Sequence, residues 1–309
     1  MTHRWNQTIV INERIARECV EQQHNICVES IEKLEEGWDN IAYLINGSLL
    51  FRFPRREPGL DCMSNEIALL PFIAKNISFP ISAPQWIGRP SDIYPYAYAG
   101  YPLLRGISIT EATDTLINDN KIAETLASWI RELHQIPVTK EHEALLTSTS
   151  DWQLDFQHRG TRFIEHLPQY RPHFENAGFD THQLLDICSE LREWKFTKER
   201  RCFIHGDLYH RHILVDSRDL KPTGIIDWGD LQIGQPGIDL VTAFVFSPSS
   251  YEHFFNAYGN IDEETKRAFL FKAFFAFTSF LPYAFERNVP SFTHWSVMSL
   301  RRVLEVMDF

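Results

Sequence analysis

The segment Cys202–Leu240, CFIHGDLYHRHILVDSRDLKPTGIIDWGDLQIGQPGIDL, gathers the side chains best suited to chemistry. Two apolar runs, Ile213–Val215 and Gly224–Ile226, flank a polar turn that contains Lys221 and Pro222. Paired as an antiparallel hairpin they set 213 against 226 and 215 against 224, and the same register sets His212 against Asp227. Opposed residues in such a pair lie about 4.5–5.5 Å apart, close enough for an imidazole and a carboxylate to share a metal ion. Asp207 precedes His212 by five residues, on a loop that must turn sharply at Gly206 and can return its carboxylate toward the same point. A carboxylate beside a metal-holding pair suits phosphoryl transfer. Asp207 would take or orient the proton of an attacking hydroxyl, and His212 and Asp227 would hold Mg²⁺ on nucleotide phosphates. The same stretch crowds His205, His210 and His212 around Asp207, a set that also fits a zinc metallohydrolase.

The elements that must position these residues follow from periodicity and turn chemistry. Ile11, Ile15 and Cys19 predict a helix over 8–23. Asn46-Gly47 between Ile41–Ile45 and Ser48–Phe53 predicts a hairpin. A helix is expected over Asn65–Lys75, and short strands with a connector over the Pro-rich Phe79–Pro102. After Gly106 the pattern turns helical. Ile122, Leu126, Trp129, Ile130 and Leu133 mark one face of a helix that Pro137 ends. Residues 150–200 read as helices with loops, 202–227 as three strands, and 241–307 as Phe-rich helices. The expected fold is α+β, with a small β-rich lobe over 1–105 and a larger helical lobe over 106–309.

Composition narrows the function classes. The chain has 309 residues and a net charge of −11, which argues against a nucleic-acid groove, since phosphate binding needs clustered bases. Residues 1–105 hold 12 acids and 10 bases, so most of the negative charge falls in 106–309 and would suit a cationic ligand. The five cysteines form no C-x-x-C pair, so neither a disulfide framework nor a structural zinc site is indicated, and a reducing cytoplasm fits. The most apolar stretch, Ala268–Ala284, is interrupted by Lys272 and Pro282 and reads as a buried helix rather than a membrane span. Phenylalanine on more than one face of Phe269–Phe285 also means burial all round, with some rings free to wall a wide apolar pocket.

Together His205-Gly206-Asp207-Leu208, Ile213-Leu214-Val215-Asp216 and Ile225-Ile226-Asp227-Trp228-Gly229-Asp230 resemble the catalytic region of the aminoglycoside phosphotransferase-like kinases, which share the bilobal protein-kinase fold. The resemblance implies that Asp207 is the catalytic base, that Asp227 is a metal ligand, and that Asp239 is the structural acid that braces the catalytic loop, with His205 as a further support. His212 stands where that family usually has Asn. A His there resembles the macrolide 2'-phosphotransferase branch, although imidazole is a softer Mg²⁺ ligand than an amide oxygen. In the N-terminal half, Leu50–Arg55 resembles the third strand of these kinases. Arg52 would then meet the phosphates and Glu66 would pair with it. Gly37, in the loop Glu36–Asn40, would lie over the nucleotide. The connector Tyr98–Leu104 would be the hinge at the base edge, and Tyr98, Tyr101, Leu103 and Ile226 would be further nucleotide-binding residues.

The implied protein is a monomeric cytoplasmic kinase without nucleic-acid or membrane partners. It would use Mg²⁺ and GTP, or ATP, to phosphorylate the 2'-hydroxyl of the desosamine sugar of a macrolide. Candidate acceptor residues are Tyr283, Glu286, Phe292 and Trp295. An aminoglycoside or another small alcohol is the alternative acceptor. His210, Arg55 and Arg56 read as solvent-facing.

Overall fold

The computed structural model describes residues 10–37, 39–112, 114–146, 151–197 and 201–307. The chain forms two units. The first takes the chain through Arg105 together with a helix at Lys140–Leu145 and the return Ile225–Leu231; the second takes most of the remainder.

The first unit is built on a five-stranded antiparallel sheet. Its strands are β1 (Ile31–Glu36), β2 (Asn40–Ile45), β3 (Leu49–Pro54), β4 (Trp86–Gly88) and β5 (Tyr98–Pro102), in the order β1-β2-β3-β5-β4. Asn46 and Gly47 both adopt left-handed backbone, with φ of 51° and 64°, and Ser48 N–H returns to Ile45 O at 3.2 Å. The Asn-Gly turn therefore sets the β2–β3 register as the dipeptide predicts.

Period-two alternation along β3 sends its side chains to opposite faces. Phe51 and Phe53 enter the core formed with helix α1 (Glu13–His24) through Ala16, Cys19 and Val20. Leu50 faces the other way and packs toward Met63 and Ile67 of helix α2 (Pro58–Asn76). Arg52 shares that face. Helix α2 starts at Pro58 rather than near Asn65, because a proline in the first turn needs no N–H partner. The Lys140–Leu145 helix, α4, packs on α2, with His142 4.4 Å from the Phe72 ring.

The second unit is mainly helical. It contains α3 (Asn120–His134), α5 (Phe156–Asn176), α6 (Thr181–Leu191), α7 (Pro248–Tyr258), α8 (Glu263–Arg287) and α9 (Pro290–Val306). Its strands are short. They are β6 (Ile107–Ser108), β7 (Cys202–Ile204), β8 (Ile213–Val215), β9 (Pro222–Ile225, whose last residue belongs to the first unit) and β10 (Gln232–Gly234). β7 pairs with β10, and β6, β8 and β9 form a second small sheet. Phe269, Phe271, Phe274, Phe275 and Phe277 of α8 are all buried. Phe244 stacks on Phe269 with centroids 4.7 Å apart, and Phe163 of α5 meets Phe274 edge-on. By length and composition α8 could cross a bilayer, yet 72% of its apolar window is buried within the protein, as in a core helix.

Phe53 is the ring on which the first core turns. It stacks on Tyr98 at 4.5 Å and meets Tyr94 and Tyr43 edge-on. Phe53→Ala should destabilise the protein by about 3–5 kcal/mol, measured by urea denaturation.

Candidate active site

In the first unit a buried charge cluster surrounds Arg52. Its guanidinium donates to Glu66 Oε1 at 2.8 Å and to Asp227 Oδ1 at 2.7 Å. Tyr101 of β5 donates its hydroxyl to Glu66 Oε2, also at 2.8 Å. Glu66 is almost fully buried, whereas the Asp227 side chain is 47% exposed. Burial raises the Glu66 carboxyl above its usual range, although Arg52 and the Tyr101 hydrogen bond pull the other way. Burial also acts to lower the Arg52 pKa, but the charges of Glu66 and Asp227 outweigh it, so Arg52 is a permanent cation. Asp227 lies beyond the end of β9, with left-handed backbone at φ 60° and ψ 62°.

In the second unit, residues 205–212 form a loop tied at almost every peptide. Asp239 is fully buried at 0% exposure. Its carboxylate accepts the N–H groups of His205 at 2.7 Å and Gly206 at 2.9 Å. His134 of α3 contacts the same carboxylate at 3.1 Å and reaches the Tyr258 hydroxyl through its other ring nitrogen. Burial works to raise the Asp239 pKa, but the hydrogen bond and charge of His134, with help from His205 and the Gly206 N–H, hold it below the usual carboxylate range.

Gly206 takes φ 84°, a conformation that glycine adopts without strain. Asp207 N–H donates to His205 Nδ1 at 3.3 Å, and Asp207 O lies 2.8 Å from His212 Nδ1. Thr242 donates to Leu208 O, and Ser108 donates to the carbonyls of His210 and Arg211. The Asp207 side chain is left 30% exposed.

The model of the phosphotransferase enzyme family matches residues 30–270, most of the chain and both charge clusters. The chain belongs to this phosphotransferase family. Aminoglycoside 3'-phosphotransferase of Streptomyces ribosidificus is 29% identical over 159 residues, which cover 48% of this chain and 57% of that relative. The chain thus spans little more than half the length of that curated relative. Two solved structures share the fold. The GDP complex of aminoglycoside 2'-phosphotransferase-IIIa superposes with a TM-score of 0.69 at 23% identity, covering 97% of this chain and all of that one. Macrolide 2'-phosphotransferase from Brachybacterium faecium gives a TM-score of 0.60 at 18% identity, covering 91% of this chain and 96% of that one. The fold is the mixed one expected from sequence, a β-rich N-terminal part followed by a helical remainder.

Several residues read from the phosphotransferase pattern sit differently from their sequence placement. His212 lies on a 3-10 turn ahead of β8, and Asp227 lies past the last residue of β9, so neither is a ladder residue. Strands of three and four residues are too short to carry the hairpin register that far. Ile226, half-buried, follows β9 for the same reason. Tyr98 is fully buried and donates its hydroxyl to Cys19 O, a core role. Tyr98–Pro102 is itself a sheet strand, flanked on both sides, and Leu103 N–H is already bonded to Ser48 O.

Gly37 lies in the β1–β2 connection, where Arg55 bonds its carbonyl; the neighbouring Trp38 is outside the described residues. Arg55 and Arg56 are mostly buried rather than solvent-facing, paired with Glu36 and Asp39 at 2.9 and 2.6 Å. His210 is likewise not solvated. It is buried against Phe292, Trp295 and Phe277, neither ring nitrogen has a hydrogen-bond partner, and burial drives its pKa down to about 3. A zinc site built on His205, His210 and His212 is therefore not formed, and among the described residues no group of three metal-ligating side chains gathers.

Of the candidate acceptor residues, Tyr283 and Phe292 cluster with Tyr209 and Phe280. Tyr209 lies 4.5 Å from the His212 ring and 4.4 Å from Phe280. Trp295 is buried behind His210, and exposed Glu286 accepts from the Tyr170 hydroxyl. Phe280 is one of the α8 rings expected to be free to wall a pocket; Tyr209 is not marked by the sequence, because its contact with Phe280 spans loop and α8. A cavity of about 720 Å³ elsewhere in the second unit, between the start of α5 and Arg192, Lys195 and Arg201, touches none of these residues.

His212 and Asp227 each carry a donor atom of a kind that metal ions accept. A proton on His212 Nδ1, donated to Asp207 O, puts the lone pair on Nε2, the tautomer that suits a ligand. Beside Asp227 there is room for an added atom: a Cβ at Gly229 would lie 3.8 Å from Asp227 Oδ1 and 3.7 Å from Arg52 Nη2.

Asp239 carries a pH signature. A carboxyl held below its unfolded value, about 3.9, contributes stability that is present above that value and lost as pH falls through the folded one. Asp239→Leu should remove this acid-side contribution. It should also leave two buried N–H donors without acceptors, at about 1–3 kcal/mol each, so that the stability loss is already present at pH 7 in calorimetric unfolding.

Proposed function

We propose that this phosphotransferase moves the γ-phosphoryl group of GTP, with ATP as a poorer donor, to the 2'-hydroxyl of the desosamine sugar of a macrolide. The observation that carries the acceptor choice is the aromatic face Tyr209–Phe280–Tyr283–Phe292, which begins at the His212 ring and hence at the loop that bears Asp207. A macrolide combines a large apolar ring with a dimethylamino sugar, so it needs aromatic walls near the reacting hydroxyl and acid farther out. Glu286 and the acidic balance of residues 106–309 suit the amine.

In this reading Asp207 accepts the proton of the attacking hydroxyl. The acceptor oxygen forms the new bond to γ-phosphorus as the bond to the β–γ bridging oxygen breaks, and the nucleoside diphosphate leaves. Arg52, held by Glu66, meets the donor phosphates with two N–H groups, a geometry that guanidinium supplies better than ammonium. Asp227 and His212 would hold Mg²⁺, which when bound offsets phosphate charge. Asp239 keeps the loop in register so that Asp207 need not be ordered during the reaction. Fold relatives are solved with GDP and with ATP, and the guanine preference rests on the resemblance to the macrolide kinases.

An aminoglycoside acceptor is the second reading, favoured by the Streptomyces relative. Incubating the protein with each drug and each nucleotide, read by mass, separates them. A gain of about 80 Da on the macrolide is expected, and a gain on the aminoglycoside alone would overturn the acceptor choice. Asp207→Ala should lower turnover about 10²–10⁴-fold; near-normal turnover would remove it as the base. Phe280→Ala should raise the macrolide KM roughly ten-fold, the worth of one aromatic contact, in steady-state assays.

A further inference from the structure

We infer that Lys272, on α8, is a positioning residue that holds the peptide leading into Asp207. The inference rests on the kinase reading of Asp207. Lys272 sits in the middle of the Phe-rich stretch and is only 4% exposed. An ammonium group in such surroundings is costly to bury, and Leu or Phe would fill the position without that cost. What the lysine does there is specific. Its Nζ donates to Gly206 O at 3.2 Å and to the Oε1 of buried Gln153 at 2.7 Å.

The Gly206 carbonyl belongs to the peptide whose N–H is that of Asp207. That peptide is therefore held at both ends, its oxygen by Lys272 and its N–H by the His205 ring. The peptide on the other side of Gly206 is held through its N–H by Asp239. A residue at φ 84° with no side chain is the freest hinge in the loop. Rotation about its ψ would swing the Asp207 carboxylate away from an acceptor hydroxyl. The cation removes that freedom, and it polarises the peptide so that the bond from Asp207 N–H to His205 strengthens. A displacement of the order of 1 Å at a reacting group costs about 10²-fold in rate.

Three variants and one measurement on the unaltered protein test this. In Lys272→Met, kcat should fall about 10–100-fold while KM for nucleotide and for acceptor stays within threefold, and hydrogen exchange of the 205–209 amides should speed up with α3 unchanged. Lys272→Gln, too short to reach Gly206 but still polar beside Gln153, should behave the same way. Gln153→Leu removes the Gln153 contact and leaves the Gly206 contact. It should lower the melting temperature but keep kcat and the loop exchange near those of the parent.

A kcat within twofold of the parent in a folded Lys272 variant would overturn the inference. So would an equal kcat loss in Gln153→Leu, which would make burial rather than the Gly206 contact responsible. If neither Lys272 variant folds, exchange in the parent decides, because an unprotected Asp207 amide contradicts a held peptide. If the parent phosphorylates no acceptor, the kinase reading fails, while the exchange comparison still decides the contact between Lys272 and Gly206.

Discussion

Two backbone N–H groups, those of His205 and Gly206, end on one buried carboxylate, and the loop of residues 205–212 is organised around that contact. Asp239 is able to stay ionised in the interior because His134 and these donors surround it. A buried anion without such partners would take up a proton or unfold its surroundings. Once the contact exists, Gly206 can hold its positive φ, the chain can turn between β7 and the 3-10 turn, and the Asp207 side chain can emerge partly exposed from a loop whose carbonyls are bonded to Thr242, Ser108 and His212. Much of the second unit, including α3 and α8, supplies the frame for that loop.

The first unit solves a different problem with the same physics. Alternation along β3 puts Phe51 and Phe53 in an apolar core and Arg52 on the opposite face, where Glu66 and Asp227 meet it. The hydrophobic pattern of one strand thereby decides where a permanent cation stands. Tyr101 completes the arrangement by bonding the second oxygen of Glu66, so the buried carboxylate has both oxygens occupied. A cation fixed in this way has already lost its side-chain freedom in the fold.

The aromatic residues divide between the two tasks. Most of the phenylalanines of α8 are core, as their distribution around the helix predicts. Phe280, one turn beyond the buried run, remains partly open and joins Tyr209 from the loop. The fully buried and the partly open rings are thus consecutive on one helix. Trp295 and His210 stack behind that face as filler, which explains why a histidine amid a polar motif is neutral and dry. In sequence it stands beside two ionisable neighbours and reads as wet; only the approach of α9 makes its surroundings apolar.

The sequence by itself determined the order of elements, the Asn-Gly hairpin, the turn at Gly206, and the residue types of the motif Asp207, His212, Asp227 and Asp239, because these depend on local backbone preference and short spacing. The resemblance of Leu50–Arg55 to the third strand of the kinases also implied the pairing of Arg52 with Glu66, which a strand and the helix that follows it can make. Only the tertiary structure decided the rest. The bracing of the loop by His134, Thr242, Ser108 and Lys272, the burial of His210, Arg55 and Arg56, and the meeting of Tyr209 with Phe280 all join residues far apart in the chain. Their burial is set by what packs over them. A hairpin register extrapolated from three-residue strands failed at His212 and Asp227, because the backbone leaves the extended region at those positions and the ladder no longer dictates the neighbours.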